Sequence, residues 1–268
     1  MRIPWYVAWP VILLAAYAGL ALFARRATYY PVKYPRGHWD AQQGLGAEDV
    51  WLRTSDNLKL HAWRLAADGS PVVTLFLHGN GGNLTHRVGH LQEIRQAGSS
   101  VLILDYRGYG RSQGSPSERG LYRDAEAAYD HLLSGGCTPS QIVLHGESLG
   151  TAVAVELASR RPCGGMILEA PFTSAAAVAH RVLPFVGPMI ARGFDSKRRI
   201  AAFTGPLLII HGDRDEVIPL SLGRSLFQAA NEPKQFWEVP GAGHNDIVEA
   251  AGIQYRQRLA EFYARLRP

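Results

Sequence analysis

The stretch QIVLHGESLGTAVAVELASR, residues 141–160, decides the fold class. It begins with the apolar run IVLH, passes through the pattern Gly-x-Ser-x-Gly, and ends in a strongly helical run rich in alanine and valine. A serine between a strand and a helix is held exposed on a sharp turn, and the flanking glycines let that turn and the helix pack closely. We therefore predict that Ser148 lies on such a turn and acts as a nucleophile.

The same Gly-x-Ser-x-Gly pattern occurs a second time, at residues 110–114. The residues that follow it, SPSERG, are typical of a loop and a helix cap, so no helix begins directly after this serine. A nucleophile turn requires that helix. We predict that Ser112 is a loop residue.

From Glu48 onward, short apolar runs alternate with helical patterns. Continuous apolar strands are typical of a sheet covered on both faces, and strands separated by helices imply a mainly parallel sheet. The segments EDVWLRT and LKLHAWRL flank a polar turn, which predicts a hairpin and hence a mixed sheet. The predicted strands are 72–78, 101–105, 142–145, 166–169, 207–211 and 235–239, and the predicted helices are near 84–97, 119–134, 149–160, 220–230 and 249–266.

A serine hydroxyl is a poor nucleophile until a neighbouring base accepts its proton. In this architecture the partners follow in the chain order serine, acid, histidine. His180 lies in an amphipathic stretch, and His211 ends a predicted strand, where we expect it to brace the following turn. His244 lies in the glycine-rich segment PGAGHND directly after a predicted strand. We therefore predict His244 as the base.

The main candidates for the acid lie in the segment LLIIHGDRDEVIP, residues 207–219, where carboxylates follow a predicted strand. Asp215 is the preferred candidate, and Asp213 is its nearest competitor, although a turn-forming role suits Asp213 better. Glu169, which ends an earlier strand, is a third candidate. The acid would hold the tautomer of the histidine and stabilise the imidazolium as it forms.

Acyl transfer produces a negatively charged oxygen that needs preorganised N–H donors. One donor is expected from Leu149, the residue after the nucleophile, and the second from the loop after the strand VVTLFLH. That loop, HGNGGN, is rich in glycine, and we predict the N–H of Asn80 as the donor. The same loop is also interpreted as a turn that caps the next helix, with Asn83 as the N-cap. The two interpretations are compatible.

No cofactor or metal is expected. His86 and His90 share a helix face at a spacing that suits a metal, but no carboxylate ligand set accompanies them, so we predict a solvated helix surface. Cys137 and Cys163 are too few for a disulfide framework; either they form one bridge or both are unpaired thiols. The net charge of +5 comes from scattered arginines, which argues against a nucleic acid partner.

Residues 1–26 are predicted to form a membrane anchor. Residues 3–24 carry no charge, and at ~1.5 Å per residue such a helix crosses a ~30 Å hydrocarbon core. A cleavable signal peptide and a buried core helix are the alternatives. We expect a single-pass protein of a bacterial inner membrane; both orientations are open, and the positive-inside rule favours a cytoplasmic catalytic domain. Residues 27–47 are predicted to be a linker, or an arm that lies on the domain.

The segments FLHGNGGN, DYRGYGRSQGSPSE, GESLGTA, HGDRDEVIP and GAGH, in this order and spacing, resemble the alpha/beta-hydrolase superfamily, most closely its small membrane-anchored serine hydrolases. The resemblance covers residues 48–268. It implies an α/β fold with a mostly parallel central sheet, helices on both faces, and a short cap at about 171–205. It also favours Asp215 over Asp213, because the acid of the family precedes a Val-Ile-Pro-like step. The triad positions match Ser148, Asp215 and His244, and the oxyanion positions match Asn80 and Leu149.

The expected activity is hydrolysis of carboxylic esters or thioesters through an acyl-enzyme intermediate. The cap segment VAHRVLPFVGPMIARGF is apolar, and it is interpreted either as a small lid or as a core-facing helix pair. Beside a membrane anchor, such a cap suits small-molecule or lipid-like acyl substrates. The alternatives are a serine peptidase of the prolyl-oligopeptidase-like type and a catalytically inactive, membrane-bound binding module.

Overall fold

The structure is a computed structural model, and it describes residues 9–14, 19, 28–182, 184, 187 and 191–266. An eight-stranded sheet lies at its centre, with the strand order β10-β9-β8-β7-β4-β6-β3-β2. The strands are β1 (Tyr30–Pro31), β2 (Glu48–Arg53), β3 (Lys59–Leu65), β4 (Val73–Leu77), β5 (Gly81–Gly82), β6 (Ser100–Leu104), β7 (Ile142–Glu147), β8 (Gly165–Glu169), β9 (Leu207–Gly212) and β10 (Lys234–Val239).

The α-helices are α1 (Ala41–Leu45), α2 (Val88–Gln96), α3 (Glu118–Ser134), α4 (Leu149–Ala158), α5 (Ala175–Val182), α6 (Ser196–Arg199), α7 (Leu220–Ala229), α8 (Ile247–Ala251) and α9 (Ile253–Arg265). The predicted helix near 84–97 begins as the 3₁₀ helix Leu84–Arg87 before it continues as α2. The predicted helix at 249–266 is divided between α8 and α9 at Gly252, whose φ of 52° is in the left-handed region. The other strand and helix predictions from Glu48 onward are confirmed within a few residues.

The sheet is parallel from β10 to β6, and it becomes antiparallel at β3 and β2. The predicted hairpin and the mixed sheet are therefore confirmed. Every residue of β4, β8 and β9 is buried, because helices cover both faces of the sheet. Two hydrophobic clusters, one on each face, form the core. Helix α4 is buried along its whole length, so the turn before it is held between the sheet and a fixed helix.

Residues 28–47 lie on the domain. Strand β1 pairs in parallel with β5, and α1 follows before the hairpin begins. The predicted anchor at 1–26 falls mainly outside the described residues, of which only 9–14 and 19 belong to it. Within the described part of the chain, no helix has both the length and the apolar character needed to cross a bilayer.

The segment predicted to be a cap, residues 171–205, is described except at 183, 185–186 and 188–190. Ala175 and Val178 of α5 pack against the main core, whereas His180 on the same helix is exposed. The Nδ1 of His180 lies 2.6 Å from the carbonyl oxygen of Pro184. Helix α5 therefore fits the core-facing interpretation better than that of a free lid.

Candidate active site

Ser148 occupies the sharp turn between β7 and α4. Its φ of 50° and ψ of −114° are uncommon for a non-glycine residue, and such strain is characteristic of functional turns. A side chain at Gly150 would overlap the backbone carbonyl of Leu77, so the close approach of α4 to the sheet requires a glycine there. The main-chain N–H of Ser148 donates to the carbonyl of Glu169, at 2.8 Å, which ties the turn to the end of β8. Ser148 therefore lies on a turn between a strand and a helix, as predicted, and its role as the nucleophile stays a prediction.

The structure brings Ser148, His244 and Asp215 into one hydrogen-bonded chain. The Nε2 of His244 lies 3.0 Å from the Oγ of Ser148, and its Nδ1 lies 2.8 Å from the Oδ2 of Asp215. The three side chains follow the carboxyl ends of β7, β10 and β9, where open parallel sheets place their binding sites. This arrangement allows a proton to pass from the serine hydroxyl to the imidazole.

The carboxylate of Asp215 is held in its ionised form. Burial raises its pKa, but hydrogen bonds from His211 and His244 outweigh burial and hold the pKa of Asp215 well below its usual range. Its second oxygen accepts the main-chain N–H groups of Val217 and Ile218, at 2.9 and 2.7 Å. An ionised acceptor at Nδ1 selects the tautomer of His244 that leaves Nε2 free to accept a proton from Ser148.

Competing candidates for the acid, the base and the nucleophile are engaged in other contacts. Asp213 accepts the main-chain N–H of Gly241 at 2.7 Å, which fits the predicted turn role. His211 lies 2.9 Å from the carbonyl oxygen of Ile218, as expected of a residue that braces this turn. Ser112 accepts the N–H of His61 and donates to the carbonyl of Asp105, so it is the structural loop residue that the sequence predicts.

Two main-chain N–H groups are available beside Ser148. Leu149 is the first residue of α4, so its N–H has no intrahelical acceptor. Asn80 lies in the glycine-rich loop, which we define as residues 79–83. Within the described parts of the chain, neither N–H has a hydrogen-bond acceptor. Asn83 caps the 3₁₀ helix that follows, because its side chain accepts the N–H of Thr85, so the capping prediction is confirmed.

His78 contacts the peptide group between Gly79 and Asn80, which carries the N–H of Asn80. Its Nδ1 lies 2.7 Å from the carbonyl oxygen of Gly79. Burial and the nearby Arg87 lower the pKa of His78 to about 4, so the ring is neutral and Nδ1 donates its hydrogen. The carbonyl and the N–H of a trans peptide point in opposite directions. The hydrogen bond at Gly79 therefore directs the N–H of Asn80 away from His78.

Two adjoining cavities of ≈ 190 and ≈ 210 Å³ lie beside the serine, and together we call them the polar groove. The residues that line both cavities are His86, Arg87, Glu147, His244 and Asn245. At the centre of the groove, Nε of Arg87 contacts Oε2 of Glu147 at 2.5 Å. The sequence did not predict this ion pair, although Glu147 lies inside the Gly-x-Ser-x-Gly pattern. The walls of the groove are mixed, because charged and amide side chains lie beside apolar ones such as Ala170 and Ile247.

Beneath the polar groove, Glu169 is the centre of a buried network. Its carboxylate contacts Nε2 of His90 at 3.3 Å, Nε2 of His145 at 3.1 Å and the hydroxyl of Tyr255 at 2.9 Å. Burial lowers the pKa of His90, but the charge of Glu169 outweighs burial and raises it. The prediction that His90 lies on a solvated surface is therefore wrong, because α2 packs this histidine over the end of β8. His86 is exposed, as predicted.

Glu169→Gln is expected to lower the free energy of unfolding by about 1.5–3 kcal/mol, because the side chains of His90, His145 and Tyr255 would lose the carboxylate that they contact. The pKa of His90 is raised, so its contribution is complete below its unfolded pKa and is lost as pH rises through the folded value. The deficit of the variant should therefore shrink at alkaline pH. Urea unfolding at several pH values measures this.

The matched control for that variant is Glu238→Gln. Glu238 pairs with Arg224, and their side chains are 38% and 59% exposed, so removal of its charge should cost less than about 1 kcal/mol. An equal deficit in the two variants, or a Glu169→Gln deficit that does not change with pH, would contradict the charged network.

The described residues include no group of three or more His, Cys, Asp or Glu side chains arranged to hold a metal ion. Cys137 and Cys163 are both free thiols in the structure, so they form no disulfide with each other. Burial raises the pKa of the Cys163 thiol to about 12, which makes it a poor nucleophile at neutral pH.

An open, doubly wound sheet that carries a serine, a histidine and an aspartate at its carboxyl edge defines a hydrolase of the α/β type. The family described as serine aminopeptidase, S33, matches residues 70–198. An uncharacterized protein of Mycobacterium tuberculosis is 37% identical over 88% of this chain and 88% of its own length. The alpha/beta hydrolase domain-containing protein WAV2 of Arabidopsis thaliana is 33% identical over 96% of this chain and 92% of its own. The chain belongs to the alpha/beta-hydrolase superfamily.

Solved structures agree with this fold. The Pyrococcus furiosus esterase Pf2001 superposes with a TM-score of 0.75 at 19% identity, over 89% of this chain and 98% of its own. An alpha-beta hydrolase of Vibrio vulnificus superposes with a TM-score of 0.70 at 24% identity, over 83% and 82%. At these identities the likeness concerns the fold. The resemblance to the superfamily that the motifs indicate is confirmed, and the mostly parallel sheet with it.

Proposed function

We propose that this chain is a serine hydrolase that cleaves carboxylic esters or thioesters through an acyl-enzyme intermediate. The observation that carries the proposal is the hydrogen-bonded chain from Ser148 through His244 to Asp215, with the N–H groups of Leu149 and Asn80 beside it. A nucleophile, a base, an orienting acid and oxyanion donors are the parts that acyl transfer requires.

In the proposed mechanism, the Oγ of Ser148 attacks the substrate carbonyl carbon while Nε2 of His244 takes the hydroxyl proton. The N–H groups of Leu149 and Asn80 stabilise the negative oxygen of the tetrahedral intermediate. The intermediate collapses, the bond to the leaving group breaks, and the imidazolium of His244 protonates the departing alcohol or thiol. Water, activated by the same imidazole, then attacks the acyl-Ser148 ester and releases the carboxylic acid and free serine.

The polar groove suggests that one side of the substrate is polar. Arg87 and Glu147 form an ion pair within it, and His90 contacts Glu169, so the groove offers hydrogen-bonding groups whose charges are partnered. We assign this groove to the leaving group. A lipid-like acyl chain remains part of the proposal and rests on the apolar composition of the cap segment and of residues 3–24. Attachment to a membrane through residues 1–26 is likewise proposed.

A serine peptidase is the second candidate, because the matching family is described as a serine aminopeptidase. An aminopeptidase would use a carboxylate to bind the free α-amino group of its substrate. The carboxylates of the groove, Glu147 and Glu169, already contact Arg87 and His90. This pairing favours the ester or thioester reaction. The complete Ser-His-Asp arrangement argues against a catalytically inactive binding module.

Fluorophosphonate labelling of the full chain in detergent tests for a reactive serine, and hydrolysis assays then test the substrate class. We expect acyl esters and thioesters to be cleaved at least about tenfold more efficiently than aminoacyl amides, a margin that a few pocket contacts can supply. A glycerol ester should be a better substrate than the propyl ester of the same acid, because the two differ only in the hydroxyl groups that the polar groove would bind.

Faster cleavage of aminoacyl amides would move the assignment to a peptidase. A preference for the propyl ester would show that the polar groove does not take the leaving group. Absence of labelling in the folded protein would overturn the proposal of a serine hydrolase and would favour a binding role.

A further inference from the structure

The chain ahead of the α/β domain reaches the candidate active site. Residues 28–38, which we call the N-terminal arm, run beside the glycine-rich loop at residues 79–83. The N–H of Tyr30 donates to the carbonyl of Asn80 at 3.0 Å, and the N–H of Val32 donates to the carbonyl of Gly82 at 2.8 Å. The side-chain amide of Asn80 donates to the carbonyl of Thr28 at 3.2 Å. The arm therefore contacts the residue that carries the proposed oxyanion donor.

The glycine-rich loop has few side chains of its own that could fix its conformation. Strand β5 consists of Gly81 and Gly82, which have no side chains to pack, and among the described strands it pairs with β1 alone. Glycine has the widest backbone freedom of any residue, so an ordered glycine loop needs external contacts. The hydroxyl of Tyr109 adds a further hydrogen bond to the carbonyl of Asn80, at 2.8 Å.

The arm is itself fixed to the domain on its far side. The N–H of Tyr34 donates to the carbonyl of Gly110 at 3.1 Å, and the N–H of His38 donates to Oγ1 of Thr85 at 2.8 Å. The N–H of Gly110 donates to the carbonyl of Val32 at 3.1 Å. These bonds extend the connection from the arm to a loop of the main sheet, so the glycine-rich loop is clamped between the arm and the body of the domain.

Oxyanion donors accelerate acyl transfer only when they are oriented before the reaction begins. The carbonyl bonds of Asn80 to Tyr30 and Tyr109 restrict rotation on one side of this residue, and the bond from His78 to Gly79 restricts the peptide on the other side. We propose that the N-terminal arm is a positioning element that orients the N–H of Asn80, so that catalysis depends on a segment outside the α/β domain. This inference rests on the proposed hydrolase function.

Tyr30→Pro tests the inference, because proline at this position lacks the N–H that Asn80 accepts. We expect kcat to fall by about 10- to 100-fold, since one oxyanion donor is misoriented, with little change in KM or in the melting temperature. The affinity for a boronic acid transition-state analogue should fall by the same factor, because the analogue also places an oxygen in the oxyanion position. A purely structural role would not couple these two losses.

Two further variants separate the backbone bond from other effects. Tyr30→Ala removes the side chain of a residue that is 55% exposed and retains the N–H; equal losses in Tyr30→Ala and Tyr30→Pro would overturn the role of the backbone bond. Tyr109→Phe removes the second bond to the carbonyl of Asn80 and should act in the same direction as Tyr30→Pro. Its matched control is Tyr129→Phe, which removes a hydroxyl that donates to Pro162 far from the loop and should leave kcat unchanged.

Amide hydrogen exchange gives a readout that does not require activity. Exchange at residues 79–83 should accelerate in Tyr30→Pro and not in Tyr129→Phe. Unchanged exchange together with unchanged kcat would overturn the positioning role while the hydrolase assignment stands. An inactive wild-type protein whose loop still loses protection in Tyr30→Pro would instead overturn the proposed function and leave the structural clamp established.

Discussion

Ser148→Ala is expected to lower kcat/KM for ester hydrolysis by roughly 10⁴-fold or more and to abolish fluorophosphonate labelling. The Oγ of Ser148 is the atom that faces Nε2 of His244, and no other hydroxyl occupies that position among the described residues. Alanine keeps a side chain at the strained φ of 50°, so the turn and the stability of the fold should change little. Steady-state kinetics and the melting temperature, measured together, separate the chemical loss from misfolding.

The matched control is Ser112→Ala, in the second Gly-x-Ser-x-Gly segment. Its Oγ accepts the N–H of His61 at 2.9 Å and donates to the carbonyl of Asp105 at 2.7 Å, both in the interior. Loss of these bonds should lower the free energy of unfolding by about 1–2 kcal/mol and leave kcat/KM close to that of the wild type. The nucleophile would have to be sought elsewhere if Ser148→Ala retained activity or labelling, or if Ser112→Ala lost them.

Asp215→Asn is expected to lower kcat/KM by roughly 10³- to 10⁴-fold. The Oδ1 of Asp215 accepts the N–H groups of Val217 and Ile218, so the carboxamide oxygen of asparagine would occupy that position. Its NH₂ group would then face Nδ1 of His244 and require that nitrogen to accept a hydrogen bond. The imidazole would carry its hydrogen on Nε2 and could not take the proton of Ser148.

The control for this variant lies two residues away. Asp213→Asn keeps an oxygen that can accept the N–H of Gly241, and Asp213 has no contact with His244, so kcat/KM should be retained. The pKa of Asp215 is depressed, so its stabilising contribution is present above its unfolded pKa and disappears as pH falls through the folded value. Any stability deficit of Asp215→Asn should therefore vanish in strong acid. Equal losses of activity in the two variants would refute the assignment of the acid.

The predicted order of strands and helices agrees with the structure from the β2–β3 hairpin to α9. The spacing of apolar residues and the positions of glycines are local properties, so a single sequence is enough to predict it. The turn at Ser148 is predicted for the same reason: a strand, two glycines and a helix follow one another without interruption. Where local pattern and backbone geometry differ, as at the division between α8 and α9, a glycine in the left-handed region ends one helix and a new helix begins.

Contacts between segments distant in the chain could not be predicted in this way. His90 was expected on a solvated face because the sequence shows only its spacing from His86. In the structure, Glu169 and Tyr255, which belong to other elements, cover it. Arg87 and Glu147 are far apart in the sequence, and neither residue alone indicates an ion pair. The clamp on the glycine-rich loop depends on backbone groups, which every residue possesses and which therefore leave no mark in the sequence.

The amino-acid sequence by itself determined the α/β architecture and the strand-to-helix turn at Ser148, because hydrophobic period, turn chemistry and strand order are encoded locally. The sequence preferred Asp215, and only the tertiary structure showed that Asp215, not Asp213 or Glu169, contacts His244. All three carboxylates lie at the carboxyl ends of parallel strands, and what separates them is the direction of each side chain. That direction is set by main-chain hydrogen bonds, such as those from Val217 and Ile218 to Asp215, which form only when the turns around the sheet are packed.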